Sequence, residues 1–280
     1  MVKKVLITGG YGKVGTAILE NLAGKSDYEF TCFDRSDKPS YLNTEQFDAI
    51  SGNITDPEAI QSAMESKDVV IHLAAHPAVS TPWTRVLNNN IVGTYTALES
   101  AANQGVNKFI YASSNHVMGM YEKDRAPDIY YPGSDFTLDH RAEIRPDSYY
   151  GVAKSFGESL GRYYSDTMGI RFYALRICSA REPKYDHPYG DAEKGVAEGK
   201  WSRGDDKYRE QVARMKCMWF SRRDLAHMIE LCLKNEAVEF DIFYGVSNNE
   251  RRWHEIEHAE EVLGYEPKDN AEEWEKPPEV

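Results

Sequence analysis

The strongest constraint on the fold sits at the start of the chain, in Val5-Leu-Ile-Thr-Gly-Gly-Tyr-Gly-Lys-Val-Gly15. An apolar run of β-formers meets glycines at positions 9, 12 and 15, and a helical pattern follows. The spacing predicts a strand over Lys3–Thr8, a tight turn, and a helix over Lys13–Ala23. Glycine at the turn admits a positive φ and leaves no Cβ in the way. Gly9 and Gly12 would then let the backbone approach a pyrophosphate, and Gly15 would let the helix pack closely on the strand. The free N–H groups and dipole at the helix N-terminus favour phosphate there, with Lys13 and Val14 among the expected contacts.

Apolar runs and helical patterns alternate through the first two-thirds of the 280 residues. Strands are expected at Phe30–Phe33, Val69–Leu73, Lys108–Ala112 and Arg171–Arg176. Helices are expected at Pro57–Glu65, with Thr55 as N-cap, and at Arg85–Gln104 and Tyr149–Thr167. Such alternation means βαβ units and a parallel sheet, so the expected fold class is α/β, a Rossmann-type doubly wound sheet. Residues 183–214 lose the pattern and read either as a surface insertion or as a lid over a site. Cys217–Leu233 and His254–Leu263 read as helices, and Phe240–Val246 as a further strand. The expected organisation is a dinucleotide-binding domain over 1–180, a small substrate-binding region over 181–270 with an insertion at 183–213, and an acidic surface tail over 271–280.

The second strand ends in Asp34, about 20 residues after the glycines and placed to accept hydrogen bonds from ribose hydroxyls, which favours NAD. Arg35 follows and could pair a 2′-phosphate, so NADP stays open. Leu73, Ala74 and Ala75, at a strand end, are expected along the dinucleotide path. Tyr150-Gly-Val-Ala-Lys154 places a phenol and an ammonium on one helical face. A nearby cation is expected to lower the phenol's pKa, so that Tyr150 can take a proton from an alcohol while hydride leaves for nicotinamide.

Taken together, the chain resembles the extended short-chain dehydrogenase/reductase family, also known as the NAD-dependent epimerase/dehydratase family. The motifs are Thr8-Gly9-x-x-Gly12-x-x-Gly15, Asn90-Ile-Val-Gly-Thr94, Ala112-Ser-Ser-Asn-His-Val-Met-Gly119 and Tyr150-x-x-x-Lys154. The resemblance implies that Tyr150 is the base, that Lys154 tunes it and binds ribose, and that Ser114 stabilises the substrate hydroxyl. It also implies dinucleotide contacts at Asn53, Ile54, Asn90 and Ile177. Arg176-Ile-Cys-Ser179, Arg214-Met-x-x-Met-Trp-Phe-Ser221 and Tyr244-Gly-Val-Ser-Asn-Asn249 are similar to the uronate dehydrogenase branch and to archaeal glucose 6-phosphate and L-arabinose dehydrogenases. Within that branch the resemblance implies that Asn115, His116, Ser179 and Arg214 hold the sugar, Arg214 by pairing a carboxylate or phosphate. The stretch Tyr121–Asp147 and the segment before Arg214 are longer than in relatives, which implies a reshaped substrate pocket.

The formal net charge of −12 argues against nucleic acid as a partner. No segment is apolar enough for a membrane span, and no signal peptide is read at the start, so a cytoplasmic protein is expected. The four cysteines form no C-x-x-C pair and no metal site is expected. The functional expectation is an NAD(P)-dependent oxidoreductase acting on CH–OH, a sugar 1-dehydrogenase that turns an aldose, uronate or sugar phosphate into its lactone. A nucleotide-sugar epimerase or dehydratase with retained NAD, and a non-catalytic dinucleotide sensor, are the alternatives. Helices Arg85–Gln104 and Tyr149–Thr167 are expected to form a subunit interface in a homo-oligomer.

Overall fold

A computed structural model describes residues 2–43 and 45–279; Met1, Thr44 and Val280, which fall in the expected first domain and tail, lie outside the described residues. The order is β1 (Lys3–Thr8), α1 (Lys13–Leu22), β2 (Tyr28–Asp34), β3 (Asp48–Ser51), α2 (Pro57–Ala63), β4 (Val69–His72), α3 (Trp83–Arg85) and a π-helical segment Val86–Val92. There follow α4 (Gly93–Asn103), β5 (Lys108–Ser114), α5 (Gly119–Arg125), α6 (Tyr149–Met168) and β6 (Arg171–Ile177). The chain ends with α7 (Gly190–Ala197), α8 (Asp206–Met218), α9 (Arg222–Lys234), β7 (Phe240–Gly245) and α10 (Glu257–Leu263).

The strands form one sheet in the order β3-β2-β1-β4-β5-β6-β7, and every pairing is parallel. This is the expected doubly wound Rossmann architecture, with one strand more than the sequence signals. Alternation along β1 explains the two cores. Val5 and Ile7 point to the face covered by α1 and α9, where they meet Ile18, Leu22 and Ile229. Leu6 points to the opposite face with Val70, Leu98, Phe109 and Tyr164. Each such side chain removed from water contributes roughly 1.5–3 kcal/mol. The order reverses between β1 and β4, so a crevice opens beyond the strands' C-terminal ends at that point.

Several expectations need correction. Strand β3 is a fully exposed edge strand, Asp-Ala-Ile-Ser, with no apolar run to betray it. The cap of α2 is Asp56, not Thr55: its carboxylate accepts from the Glu58 and Ala59 amides at 3.1 and 3.2 Å. Cys217–Leu233 is two helices, because Trp219 leaves the helix to form a β-bridge with Ser179 and Ser221 caps α9. The last helix starts at Glu257 rather than His254. Residues 183–214 are largely ordered as α7 and most of α8, with a small core of their own built on Tyr189, Ala192 and Tyr208. The end of the chain is not a loose tail: Ala271 is fully buried and Trp274 packs beside His187 and Trp219. β7, within the expected substrate region, pairs with β6 in the same sheet. All four cysteines are free and buried, and among the described residues no helix is long and apolar enough to cross a membrane.

Candidate active site

The C-terminal ends of β1, β2, β4, β5 and β6 open into a single cavity of about 1070 Å³. Of the expected dinucleotide residues, Gly9, Gly12, Lys13, Val14 and Gly15 line it from the first turn, and Asp34 and Arg35 from the end of β2. Asn53 and Ile54 line it after β3, Leu73, Ala74 and Ala75 after β4, and Ile177 from β6. Asn90 does not. It is buried in the π-helical segment, where its side-chain amide accepts from the His76 N–H at 2.8 Å and donates to the His76 carbonyl at 3.1 Å. There it clamps the loop that follows β4.

The turn fits the pyrophosphate of a dinucleotide. Gly9 has φ +72°, and a Cβ there would stand 2.8 Å from the Ala74 backbone. A Cβ on Gly15 would stand 2.4 Å from the carbonyl oxygen of Gly10, so α1 is seated against the turn itself rather than against β1. The first amides of α1 face the cavity with no acidic residue in the first turn to compete. Asp34 accepts from the Tyr11 and Ser36 amides at 3.0 and 2.9 Å, which fixes its carboxylate at the cavity's edge. Arg35 reaches across to Asn89 at 3.4 Å and His76 at 3.5 Å. Together these groups would hold the diphosphate and one ribose.

The structure brings Ser114, Tyr150 and Lys154 together in the same cavity, from the end of β5 and the first turns of α6. Ser148 caps α6 by accepting from the Gly151 amide at 3.1 Å, which sets the rotation of the helix. Burial raises the Tyr150 phenol to about 12, against the lowering effect of the neighbouring Ser114 hydroxyl. This corrects the expectation of an acidified phenol. Lys154 is also buried, which pushes its ammonium down to about 7 although the Glu158 carboxylate pulls the other way. Its Nζ donates to the Ala112 carbonyl at 2.5 Å and stands 5.7 Å from the centre of the Tyr150 ring. Desolvation therefore outweighs the amine's charge at the phenol.

The expected sugar-binding residues Asn115, His116, Ser179 and Arg214 line the other half of the cavity. Asn115 follows Ser114 and accepts from its hydroxyl at 3.4 Å. His116 stands edge-on to the Tyr150 ring, centroids 5.9 Å apart, with its Nδ1 2.8 Å from Asp147. Burial works to raise the Asp147 carboxyl, but the bond to His116 wins and holds it below the usual range. Ser179 is pinned by the bridge to Trp219. The 183–213 segment supplies Asp191, Lys194 and Trp201 to the same wall.

Sequence reasoning missed the supports. Glu158 and Arg176 form a bidentate buried pair at 2.9 Å for both bonds, and Glu158 also accepts from Ser113 at 2.6 Å, next to Ser114. Glu158 lies one turn beyond Lys154 on α6, a signal readable in the sequence only once that face is known to be buried. Arg222 donates to the Lys13 carbonyl at 3.1 Å and to the Thr16 hydroxyl at 3.1 Å, tying the C-terminal segment to the glycine turn. No spacing in the sequence signals that contact.

Comparison with known proteins follows the same lines. The family model described as NAD dependent epimerase/dehydratase family matches residues 5–195. The chain is 37% identical to an NAD-dependent glucose-6-phosphate dehydrogenase of Haloferax volcanii, covering 98% of this chain and 96% of that protein. It is 31% identical to an L-arabinose 1-dehydrogenase (NAD(P)(+)) of the same organism, covering 96% and 97%. Among solved structures, the glucuronic acid dehydrogenase of Chromohalobacter salexigens superposes with a TM-score of 0.76 at 27% identity, covering 100% of this chain and 91% of that one.

Proposed function

The chain belongs to the NAD dependent epimerase/dehydratase family, and on that premise we propose that it is an NAD-dependent sugar 1-dehydrogenase, oxidising the anomeric carbon of a cyclic sugar to the lactone. The observation that carries this reading is the meeting of Ser114, Tyr150 and Lys154 with the glycine turn in one cavity. Relatives that match almost the whole chain at 31% identity or more are dehydrogenases of single sugars, which favours this reading over a nucleotide-sugar epimerase.

Bound NAD supplies the acceptor for the C1 hydride. Tyr150, as phenolate, takes the proton of the C1 hydroxyl as the C1–O bond becomes a carbonyl. Ser114 holds the substrate oxygen beside the phenol, and Lys154 sets its amine 5.7 Å from the centre of the ring. Asn115, His116 and Ser179 offer hydrogen bonds to the remaining hydroxyls, and residues between Arg181 and Arg214 supply the far wall. Asp34 favours NAD, with Arg35 leaving room for NADP. The four buried free thiols suit a reducing cytoplasm. The exposed apolar residues on α4 and α6 suit a homo-oligomer.

The test is a panel of aldoses, uronates and sugar phosphates, read by absorbance of reduced nicotinamide. The expected result is net NADH formation with at least one sugar. NAD that stays bound and shows no net reduction on any of them would overturn the proposal.

A further inference from the structure

The guanidinium expected to receive an acidic group of the substrate already holds one. Arg214 Nε donates to Glu122 Oε1 at 2.5 Å and Nη2 donates to Glu122 Oε2 at 3.2 Å, a fork-to-fork pair. The Tyr130 hydroxyl donates to Glu122 Oε1 at 2.8 Å and fixes the carboxylate from the other side. Burial works to raise the Glu122 carboxyl, but the Arg214 charge outweighs it and the group stays below its usual range. Both partners come from parts of the chain outside the catalytic core, Glu122 from α5 and Arg214 from α8. Glu122 and Tyr130 both lie between the end of β5 and the start of α6.

The same matching extends around the wall. Arg181, the other guanidinium on this side of the cavity, makes a bidentate pair with Asp191. Lys194 pairs with Glu182 at 2.9 Å and Lys200 with Glu198 at 2.7 Å. Each of these four cations of the substrate wall thus has a carboxylate partner, with Glu182 shared between Lys194 and Lys13. A carboxylate arriving on the sugar would either displace Glu122 and leave that charge buried without a partner, or face it across Arg214. Among the described residues Arg214 Nη1 makes no hydrogen bond, so the pair still offers donors, with no net charge, to a neutral hydroxyl.

We propose that Glu122 is a specificity-determining residue: by occupying Arg214 it excludes a C5 carboxylate, so the sugar carries an uncharged, hydroxyl-bearing group at that position. This rests on the sugar-dehydrogenase reading for its choice of ligand, but its test does not depend on turnover. D-glucose and D-glucuronate differ only in the C5 substituent, and their binding to the full chain saturated with NADH is measured by calorimetry. Wild-type protein is expected to bind glucuronate at least tenfold more weakly than glucose. Glu122→Gln removes the competing charge and keeps the shape, so glucuronate binding is expected to strengthen at least tenfold while glucose binding changes less than threefold. Glu122→Asp keeps the charge and is expected to keep the rejection.

Wild-type protein that binds glucuronate as tightly as glucose overturns the proposal without any variant. So does a folded Glu122→Gln protein, with NADH binding and melting temperature retained, that shows no gain for glucuronate. If no sugar is oxidised but the binding contrast appears, the dehydrogenase reading fails and the role of Glu122 stands. If sugars are oxidised but the contrast is absent, the reverse holds.

Discussion

The ammonium of Lys154 stands 5.7 Å from the centre of the Tyr150 ring and gives its short hydrogen bond to the Ala112 carbonyl, not to the phenol. Its burial has a consequence for stability. The pKa of Lys154 is about 7 in the fold against 10.5 as a free side chain. Between those values the unfolded chain binds more protons than the folded one, so this group makes stability rise with pH. The destabilisation is complete below about pH 7 and vanishes above about 10.5. Tyr150, raised from 10 to about 12, acts in the opposite sense only above pH 10. Lys154→Met should therefore raise the melting temperature of the ligand-free protein most at pH 6–7, and the gap to wild type should narrow steadily as pH rises to 9. A gap that is constant with pH would contradict the buried, depressed amine.

Tyr150→Phe removes one hydroxyl beside Ser114 from a buried ring and leaves the ring itself in place. Turnover should fall by about a thousandfold, the usual scale for losing a positioned general base. NAD binding and the melting temperature should stay close to wild type, since the ring packing remains. Because a phenol near 12 is almost fully protonated at neutral pH, the wild-type rate should rise steadily from pH 7 to 10. Steady-state kinetics across that range, with binding measured by calorimetry, checks all three.

Asp34 is held by two backbone amides and faces the cavity next to Arg35. Asp34→Ala should raise KM for NAD about tenfold, on the order of 1.4 kcal/mol, and leave KM for NADP little changed, since Arg35 remains. Measuring both constants for both proteins separates this from a general loss of folding, which would weaken the two cofactors alike.

The parts of the site that were legible in the sequence are those where backbone geometry forces a residue type. Gly9 and Gly15 sit where a Cβ would collide with backbone, so their spacing carries the turn and the crevice with it. Tyr150 and Lys154 are read by helical period alone. What was hidden depends on tertiary contact. Strand β3 is polar because its side chains are exposed, and it is fixed only by its register with β2. The 183–213 segment folds as helices around Tyr189 and Tyr208 while its charges pair locally, as Glu193 does with Arg203 and Tyr208, and that pairing masks its period. The electrostatics at Tyr150 were misread for the same reason: spacing gives the neighbour, and burial decides the sign.

The pair Arg176–Glu158 is almost fully enclosed and anchors Ser113 beneath the site. Glu158→Gln leaves the guanidinium charge without its partner, which should destabilise the fold by about 3–5 kcal/mol. Replacing both partners with apolar residues of similar size should recover a large part of that loss. Urea unfolding of the two variants checks the sign of the difference, and a single variant as stable as wild type would contradict it.

The last prediction concerns the outer face of α6. Tyr149, Val152 and Tyr163 are exposed there at spacings of 3 and 11 residues, which place them on one stripe of the helix. Val92 and Tyr95 are exposed beside them where the π-helical segment meets α4, and Trp83 packs its ring 5.4 Å from that of Tyr149. So many large apolar side chains in one exposed band are unfavourable in water unless another surface covers them. A second copy of the same two helices, related by a two-fold axis, would present the same stripe in return and cover it. Wild-type protein should then sediment as a dimer or larger at micromolar concentration. The double substitution Tyr95→Glu with Val152→Glu should shift it to monomer without loss of NAD binding, because neither residue lines the cavity. A wild-type protein that sediments as a monomer would leave the stripe without a covering partner and refute this assembly.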